Sequence, residues 1–482
     1  MTWWTRRPAR PQYPGEQQVR HRRRLLAAIA LAAVLATGVA LAATGGLASG
    51  SGSGRRAAGG SGPLLSGVPV QGGTGAGGVT SPVPPGGGLT PDQIRAAYDL
   101  PPLTDLGGPG PLKNITGKGQ TIVVVDSFGS PTIAADLAHF DSYFGLPAPP
   151  SFRVIQPAGK VPPFHASNGN RAGWASETTL DVEWAHVVAP GASIVLVETP
   201  TSENEGTTGF PQIVTAEKYV LRHKLGQVIS QSFAATEQTF PAKSDYAALR
   251  NLRSAYVLAA ADHVTVLAAT GDDGVTSDKY NMVDEYTTPA VSWPATDPLV
   301  TAVGGTQLKL RANGSRVSPD VAWSDSGGGR SIVFPRPSYQ NSVRSLTGSH
   351  RGVPDISMDA SCHSSVAIYA SFDASESGQW SALCGTSLAT PLFAGVVALA
   401  DQYAGHALGL VNPAIYQIEA RHERGIVDIT KGNNTQTFTQ DGRRYTVHGF
   451  SARKGYDLVT GVGTVDAAYF VPELAKLARA AG

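Results

Sequence analysis

Apolar stretches with two different periodicities alternate along the first half of the main sequence. Short, nearly continuous apolar runs are typical of buried strands, and each of the first three is followed by a longer run with the spacing of an amphipathic helix. The strand-like runs span residues 121–125, 194–198, 228–232 and 264–268, and the helix-like runs span 134–144, 213–223 and 247–261. This alternation predicts a doubly wound α/β fold, with a parallel sheet and helices on both faces.

The segment Cys384-Gly385-Thr386-Ser387-Leu388-Ala389-Thr390-Pro391 leads into an apolar run, 392–400, that predicts a buried helix. Gly385 lets the backbone approach a substrate closely, because glycine has no Cβ. A serine at the start of a helix lies near the positive end of the helix dipole, which favours its alkoxide. Ser387 is therefore a candidate nucleophile, although a Ser/Thr turn that caps an ordinary helix has the same pattern.

A nucleophilic serine needs a base, and none of the eleven histidines has the His-Gly-Thr-His context that subtilisin-like peptidases use. His186, between apolar neighbours, is expected to be a packed core residue. The segment Glu177-Thr178-Thr179-Leu180-Asp181 instead has two carboxylates that a helix brings to about 5–6 Å between Cβ atoms. Repulsion raises one pKa, so the pair can provide a general base in acid. A solvated acidic helix face is the alternative.

An apolar run that ends in Gly271-Asp272-Asp273-Gly274 predicts a buried strand followed by a tight turn. Sites in open α/β sheets lie at the carboxyl ends of the strands. A protonated Asp272 could donate a hydrogen bond to an oxyanion there. Alternatively, Asp272 caps the backbone of its own turn.

Taken together, these segments resemble the sedolisin family, the serine-carboxyl peptidases, over residues 90–475. The resemblance implies a subtilisin-like fold in a single large catalytic domain, residues 89–482, that hydrolyses peptide or protein substrates with an acid pH optimum. It implies that Ser387 is the nucleophile, Glu177 the general base, Asp181 the acid that orients the base, and Asp272 the oxyanion carboxyl. These residues also follow each other in the family order.

Asp126, at the end of the first strand-like run, matches a position where sedolisins have an acidic residue in contact with the catalytic glutamate. The resemblance therefore implies that Asp126 supports Glu177 from a second layer of residues. A cap at the end of the strand is the alternative.

The resemblance also implies one bound Ca²⁺ ion, because Asp428-Ile429-Thr430 and Gly455-Tyr456-Asp457 match the calcium loops of the family. Calcium takes oxygen ligands from carboxylates and backbone carbonyls. The implied ligands are the side chains of Asp428 and Asp457 and the carbonyls of Ile429, Arg453 and Gly455. Arg453 stands where the family often has glycine. Two unrelated turn aspartates are the alternative.

Residues 1–88 differ in composition from the rest of the chain. Segment 1–24 is basic and segment 25–43 is apolar, which predicts either a cytoplasmic tail with a transmembrane anchor or the n-region and core of a signal peptide. Segment 44–88 is rich in Gly, Ser and Pro and predicts a disordered linker, so we expect no folded propeptide of the kind that sedolisins usually have. Both interpretations place the catalytic domain outside the cytoplasm, membrane-anchored or secreted.

Cysteine content and charge agree with export. Two cysteines, Cys362 and Cys384, predict one disulfide in an oxidising compartment, with two reduced buried thiols as the alternative. The chain has 38 basic and 37 acidic residues. Much of the positive charge lies in segment 1–24, so the exported part of the chain is mildly acidic. Nucleic-acid binding by this part is therefore not expected. A catalytically silent sedolisin-like surface or binding protein remains the alternative function.

Overall fold

The described part of this protein, in a computed structural model, comprises residues 82, 84–311, 314–317, 319–372 and 379–479. The predicted segments 1–24 and 25–43, and most of the predicted linker 44–88, lie outside the described residues. Within the described part, no helix has both the length and the apolar character needed to cross a bilayer.

Helices and strands alternate along most of the described chain. The helices are α1 (Pro91–Ala97), α2 (Ile133–Phe144), α3 (Gly169–Val188), α4 (Phe210–Arg222), α5 (Lys243–Leu252), α6 (Ser254–Ala261), α7 (Arg344–Thr347), α8 (Thr386–Ala404), α9 (Asn412–Ala420) and α10 (Ala467–Arg479). The strands are β1 (Thr121–Ser127), β2 (Phe152–Ile155), β3 (Ser193–Thr199), β4 (Val228–Gln231), β5 (Ala235–Thr236), β6 (Thr265–Ala269), β7 (Ser292–Trp293), β8 (Thr301–Gln307), β9 (Val321–Ala322), β10 (Gly329–Pro335), β11 (His350–Val353), β12 (Ile356–Asp359), β13 (Val366–Tyr369), β14 (Trp380–Leu383), β15 (Ile426–Val427), β16 (Gln436–Gln440), β17 (Arg443–Val447) and β18 (Thr464–Val465).

A parallel sheet in the order β12-β8-β6-β4-β1-β3-β2 forms the centre of the fold, and β9 pairs antiparallel with β8. Alternate residues of β1 face two different hydrophobic clusters. Ile122 and Val124 pack in one cluster with residues of α2, α8 and α10, whereas Val123 and Val125 pack in the other with residues of α4 and α6. Helices therefore cover both faces of the sheet, which confirms the predicted doubly wound α/β architecture.

Helices α3 and α8 pack against each other on one side of the sheet. They approach closely at Gly395, where a Cβ would overlap the side chain of Val188. Ser387 and Glu177 each precede this contact in their helices, by roughly 12 and 16 Å of helix length respectively. The packing of α3 on α8 therefore brings the first turn of α8 beside the middle of α3.

The periodicity of run 247–261 predicts a single helix. The structure instead divides this run between α5 and α6. The break lies at Arg253, whose guanidinium pairs with Asp297 and lies over the ring of Phe334. These contacts are distant in sequence, so the local apolar spacing does not indicate them.

Candidate active site

Ser387 lies in the first turn of α8 and is completely buried. Gly385 precedes it with a φ of 118°, a conformation that favours glycine. The N–H of Gly385 donates to the carbonyl of Ala360 at 2.7 Å. The hydroxyl of Ser232, which follows β4, donates to the carbonyl of Ser387 at 3.4 Å. The backbone around the candidate nucleophile is therefore held by two neighbouring segments.

A disulfide joins Cys362 to Cys384, directly before the segment that contains Ser387. It confirms the predicted pairing and connects the approach to α8 with the loop after β12. Cys384 is completely buried. The cross-link restricts the unfolded chain and so stabilises the folded state of this region.

Glu177 and Asp181 lie one turn apart on α3, and both side chains are completely buried. Burial raises the pKa of Glu177 well above its ordinary value, and the charges of Asp181 and Asp126 raise it further, whereas a hydrogen bond from the Ser387 side chain lowers it. Neither carboxyl oxygen of Glu177 has a described partner with good hydrogen-bond geometry. The contact with Ser387 is therefore loose, as catalytic contacts often are before a substrate binds.

Asp126 and Asp181 complete a group of three buried carboxyls with Glu177, and we call these three residues the acid cluster. Burial raises the pKa of Asp181 well above its ordinary value, the charge of Asp126 adds to this, and the Ser232 side chain opposes it. Burial also raises the pKa of Asp126 to about 7, although a hydrogen bond from Thr178 lowers it. The structure thus places Asp126 beside Glu177, where the sequence predicted a supporting acid.

Asp272 follows β6 and faces the segment before the nucleophile. Its Oδ1 accepts hydrogen bonds from the N–H and from the hydroxyl of Thr386, each at 2.8 Å. Its Oδ2 is buried and has no hydrogen-bond partner among the described residues. Burial raises the pKa of Asp272 to about 8, in spite of the opposing hydrogen bonds from Thr386. One oxygen therefore fixes the carboxyl, and the other can carry a proton for donation.

His186 is on α3 but takes no part in this arrangement. It is completely buried, its Nε2 lies 2.8 Å from the carbonyl of Pro147, and the same atom is 3.4 Å from Asp141. Burial lowers the pKa of His186 to about 4, although the contact with Pro147 opposes the shift. The prediction that His186 is a packed core residue is confirmed.

Comparisons with known proteins indicate the family to which this chain belongs. Residues 167–418 match the model of the subtilase family. The chain is 30% identical over 389 residues to kumamolisin from Bacillus sp. (strain MN-32), covering 78% of this chain and 61% of kumamolisin. It is 29% identical over 394 residues to tripeptidyl-peptidase 1 of Canis lupus familiaris, covering 78% and 62% of the two chains.

The solved structure of Pseudomonas sedolisin, a serine-carboxyl proteinase complexed with two molecules of pseudo-iodotyrostatin, superposes with a TM-score of 0.65 at 26% identity. The match covers 82% of this chain and 98% of that sedolisin chain. This protein belongs to the sedolisin family of subtilases. It spans less than two thirds of the length of kumamolisin and of tripeptidyl-peptidase 1.

The segments that resemble the calcium loops of sedolisins lie together in this member of the family. Oδ2 of Asp428 accepts from the N–H of Gly455 at 3.1 Å, and Oδ2 of Asp457 accepts from the N–H of Arg453 at 3.0 Å. Oδ1 of Asp428 is buried without a hydrogen-bond partner among the described residues. Burial raises the pKa of Asp457 to about 6, against the hydrogen bonds that it accepts. These oxygens, with the carbonyl of Ile429, fit the donor type that Ca²⁺ prefers.

Thr386, Ser232 and Thr178 have no role that the sequence predicted, although each contacts a residue of the candidate site in this sedolisin. Thr386 holds Asp272, Ser232 holds the backbone of Ser387, and Thr178 lowers the pKa of Asp126. Thr386 and Thr178 are direct sequence neighbours of Ser387 and Glu177, which is the one local signal that could have indicated them. Ser232 has no such signal, because its contact depends on the order of the strands.

Proposed function

We propose that this protein is a serine-type peptidase that hydrolyses peptide bonds through Ser387, Glu177, Asp181 and Asp272. One observation carries the proposal: the buried Ser387 side chain lies close enough to the buried carboxyl of Glu177 to lower its pKa, and no described partner of better geometry occupies that carboxyl. Membership of the sedolisin family supports the same reaction. Peptides or unfolded proteins are the substrates that this chemistry requires.

In the proposed reaction, ionised Glu177 takes the proton of the Ser387 hydroxyl as the oxygen attacks the peptide carbonyl. Asp181 holds Glu177 in position. Asp272, protonated on Oδ2, donates a hydrogen bond to the oxyanion that forms on the carbonyl oxygen. Glu177 then gives its proton to the leaving amine, and water releases the acyl group from Ser387 by the same steps in reverse order.

The proposed pH dependence follows from the acid cluster. Its three carboxyls cannot all be ionised together, because each charge raises the pKa of the others. The hydrogen bond from Ser387 favours the ionised form of Glu177, against the burial and the neighbouring charges that raise the pKa of this carboxyl. We expect kcat/KM to rise as Glu177 ionises and to fall as Asp272, with a pKa of about 8, loses its proton. Activity in acid therefore depends on the fraction of Glu177 that the contact with Ser387 keeps ionised.

We also propose that one Ca²⁺ ion binds to Asp428 and Asp457 and to the carbonyls of Ile429, Arg453 and Gly455. The unpartnered Oδ1 of Asp428 and the oxygen-rich donor set support this proposal. The ion would stabilise the folded loops and would supply no step of the reaction. A melting temperature that rises with added CaCl₂ and falls with a chelator tests the site without reference to activity, and the Asp428→Asn variant should lose the response.

The catalytic domain is proposed to work outside the cytoplasm. The Cys362–Cys384 disulfide supports this location, because structural disulfides form and persist in oxidising compartments. Secretion and membrane anchoring are distinguished by whether the apolar segment 25–43 is present in the mature protein, which terminal sequencing of the exported form determines.

The peptidase proposal is tested with denatured protein as substrate at pH 4 and at pH 6.5. Wild type should release peptides that mass spectrometry detects, and the Ser387→Ala variant should release none above background. Equal digestion by the two proteins, or no digestion by either, would contradict the proposal. The second of these outcomes would favour the catalytically silent binding protein that the sequence left as the alternative.

A further inference from the structure

A small pocket opens at the carboxyl ends of β1 and β3, and we call it the β1–β3 pocket. Its volume of about 170 Å³ is below the 300–1,000 Å³ that is typical of sites for drug-sized ligands, so it suits a single side chain. Phe128, Pro162 and Phe164 contribute apolar surface, and Glu198 and Ser130 contribute polar groups.

Glu198 is the most informative residue of the β1–β3 pocket, because its carboxyl is buried without a cation. The residue is 6% exposed, and no Lys, Arg or His forms a salt bridge with it in the described part of the chain. Burial raises the pKa of Glu198, and the amide of Gln156, at 2.7 Å from Oε2, opposes the shift. A buried carboxyl of this kind gains stability when a cationic group pairs with it.

The surroundings of Glu198 fix its position. Phe128 and Gly129 both have positive φ angles, 62° and 69°, and the turn that they form lies directly on the carboxyl. A Cβ at Gly129 would overlap Oε1 of Glu198. The hydroxyl of Ser130 is also buried, and it has no hydrogen-bond partner among the described residues. The pocket therefore combines a fixed carboxyl and an unsatisfied hydroxyl with aromatic and proline walls.

Arg171 also lines the β1–β3 pocket, but its charge is engaged elsewhere. Its guanidinium donates to the carbonyl of Pro163 and lies over the ring of Phe128, 5.5 Å from the centroid. Arg171 is also more exposed than Glu198. The deeper charge in the pocket is consequently negative, and the positive charge is nearer to the solvent.

The β1–β3 pocket is close to the candidate catalytic residues. Glu198 is paired in register with Asp126 of the acid cluster, and its charge raises the pKa of Asp126. Strands β3 and β4 flank β1, so Glu198 lies about 10 Å across the sheet from the strand that leads to Ser232. An extended peptide covers this distance with roughly three residues.

We propose that the β1–β3 pocket is a substrate subsite that binds a Lys or Arg side chain of the peptide, with the aliphatic part against Phe128 and Phe164 and the cation at Glu198. This inference rests on the proposed peptidase function, since it assigns a substrate class to the same site. It predicts a preference for one basic residue within about three positions of the cleaved bond.

Binding and cleavage are measured separately to test the subsite. The Ser387→Ala protein is titrated at pH 6.5 with fluorescent hexapeptides that carry lysine, acetyl-lysine, norleucine or glutamate at one position of an alanine background. At one position we expect the lysine peptide to bind roughly tenfold or more tightly than the others, because a hydrogen-bonded charge pair is strong when buried. Glu198→Gln, added to Ser387→Ala, should remove the difference.

Glu183→Gln is the matched control, because Glu183 is also a buried glutamate but accepts from the N–H of Tyr369 outside the pocket. It should keep the lysine preference. The acetyl-lysine peptide removes the cation without a change in the protein, so the test also stands if a variant fails to fold. Equal binding of lysine and acetyl-lysine peptides at every position, a preference for glutamate, or a preference that persists in Glu198→Gln would each overturn the subsite.

Cleavage distinguishes failure of the subsite from failure of the proposed function. If wild type cleaves peptides but has no basic preference at any position, the subsite is wrong and the peptidase proposal stands. If wild type cleaves nothing while Ser387→Ala still selects lysine peptides through Glu198, the pocket is confirmed as a basic-residue site and the peptidase proposal is wrong.

Discussion

Two groups of buried carboxyls in this protein differ in how their charges are satisfied. Asp355, between β11 and β12, is completely buried and pairs with the guanidinium of Arg351, which is also completely buried. It further accepts from the N–H of Ala302 at 2.8 Å, the hydroxyl of Tyr416 at 2.9 Å and the amide of Asn412 at 3.1 Å. The acid cluster of Asp126, Glu177 and Asp181 is as deeply buried, but no cation pairs with it in the described part.

The difference separates a structural role from a chemical one. A buried carboxylate with a cation and several donors is held in place by these partners and contributes to the folded structure. Buried carboxyls without such partners have raised pKa values and can take up and release protons, which is typical of active sites. Proteins of marginal stability retain such groups where function requires them.

Substitution of Glu177 should have the largest effect on activity. We expect Glu177→Gln to lower kcat/KM by roughly 10²–10⁴-fold, because a positioned general base contributes that much. The folded structure should persist, since glutamine has nearly the same shape and removes a buried ionisable group. Glu183→Gln, on the same helix, should retain most of the activity. If the kcat/KM of Glu177→Gln lay within threefold of the wild-type value, the distinction between the two groups of carboxyls would be wrong.

Substitution of Asp355 should affect stability rather than chemistry. Removal of one partner leaves Arg351 buried without its counterion, which typically costs about 3–5 kcal/mol. Asp355→Ala should therefore lower the free energy of unfolding in denaturant by that amount, while the folded fraction keeps its kcat. A loss below about 1 kcal/mol would mean that the ion pair does not hold this region together.

Substitution of Asp272 should change both kcat and the pH dependence of kcat/KM. Asp272→Ala removes an oxyanion donor, and we expect kcat to fall by about 10²–10³-fold. Asp272→Asn keeps a donor at the position of Oδ2 and keeps an acceptor for Thr386, so it should be more active than the alanine variant. Because asparagine does not titrate, the decline of kcat/KM above about pH 8 should disappear. A wild-type profile that is flat from pH 4 to 9 would contradict this role.

The smallest expected effect is on stability as a function of pH. Asp126 and Asp272 have folded-state pKa values of about 7 and 8, which burial raises above their unfolded values. Groups of this kind stabilise the folded protein fully below their unfolded pKa, and this contribution decreases as pH rises through the folded pKa. The melting temperature should thus fall between pH 4 and pH 8 by at least about 2–4 °C. A protein that is equally stable at both values would contradict the raised pKa values.

The sequence predicted the parts of the site that lie close together along the chain. The spacing of Glu177 and Asp181 predicted a shared helix face, and Gly385 predicted a close approach of the backbone to a substrate before Ser387. The alternation of strand and helix patterns predicted the sheet, and the carboxyl end of a strand indicated Asp272. Each of these inferences depends on a period or a turn of a few residues, whereas the role of Asp126 was implied by the resemblance to sedolisins.

Such local patterns do not predict contacts between segments that are distant in the sequence. The hydrogen bonds of Asp272 to Thr386 join residues 114 positions apart, and they depend on the packing of α8 against the carboxyl end of β6. The approach of α3 to α8 depends on Gly395, which has no distinctive sequence context. Glu198 was the last residue of a strand-like run, and only the fold shows that it lines a pocket in which no cation of the described residues pairs with it.

Formation of the acyl-enzyme tests most directly whether carboxyls, without a histidine, activate Ser387. Wild type and Glu177→Gln are mixed with an excess of an activated peptide ester at pH 4 and at pH 6.5, quenched at short times, and analysed by mass spectrometry of the peptide that contains Ser387. We predict rapid acylation of Ser387 in wild type and acylation at least roughly 100-fold slower in Glu177→Gln. Equal acylation rates in the two proteins would contradict the account.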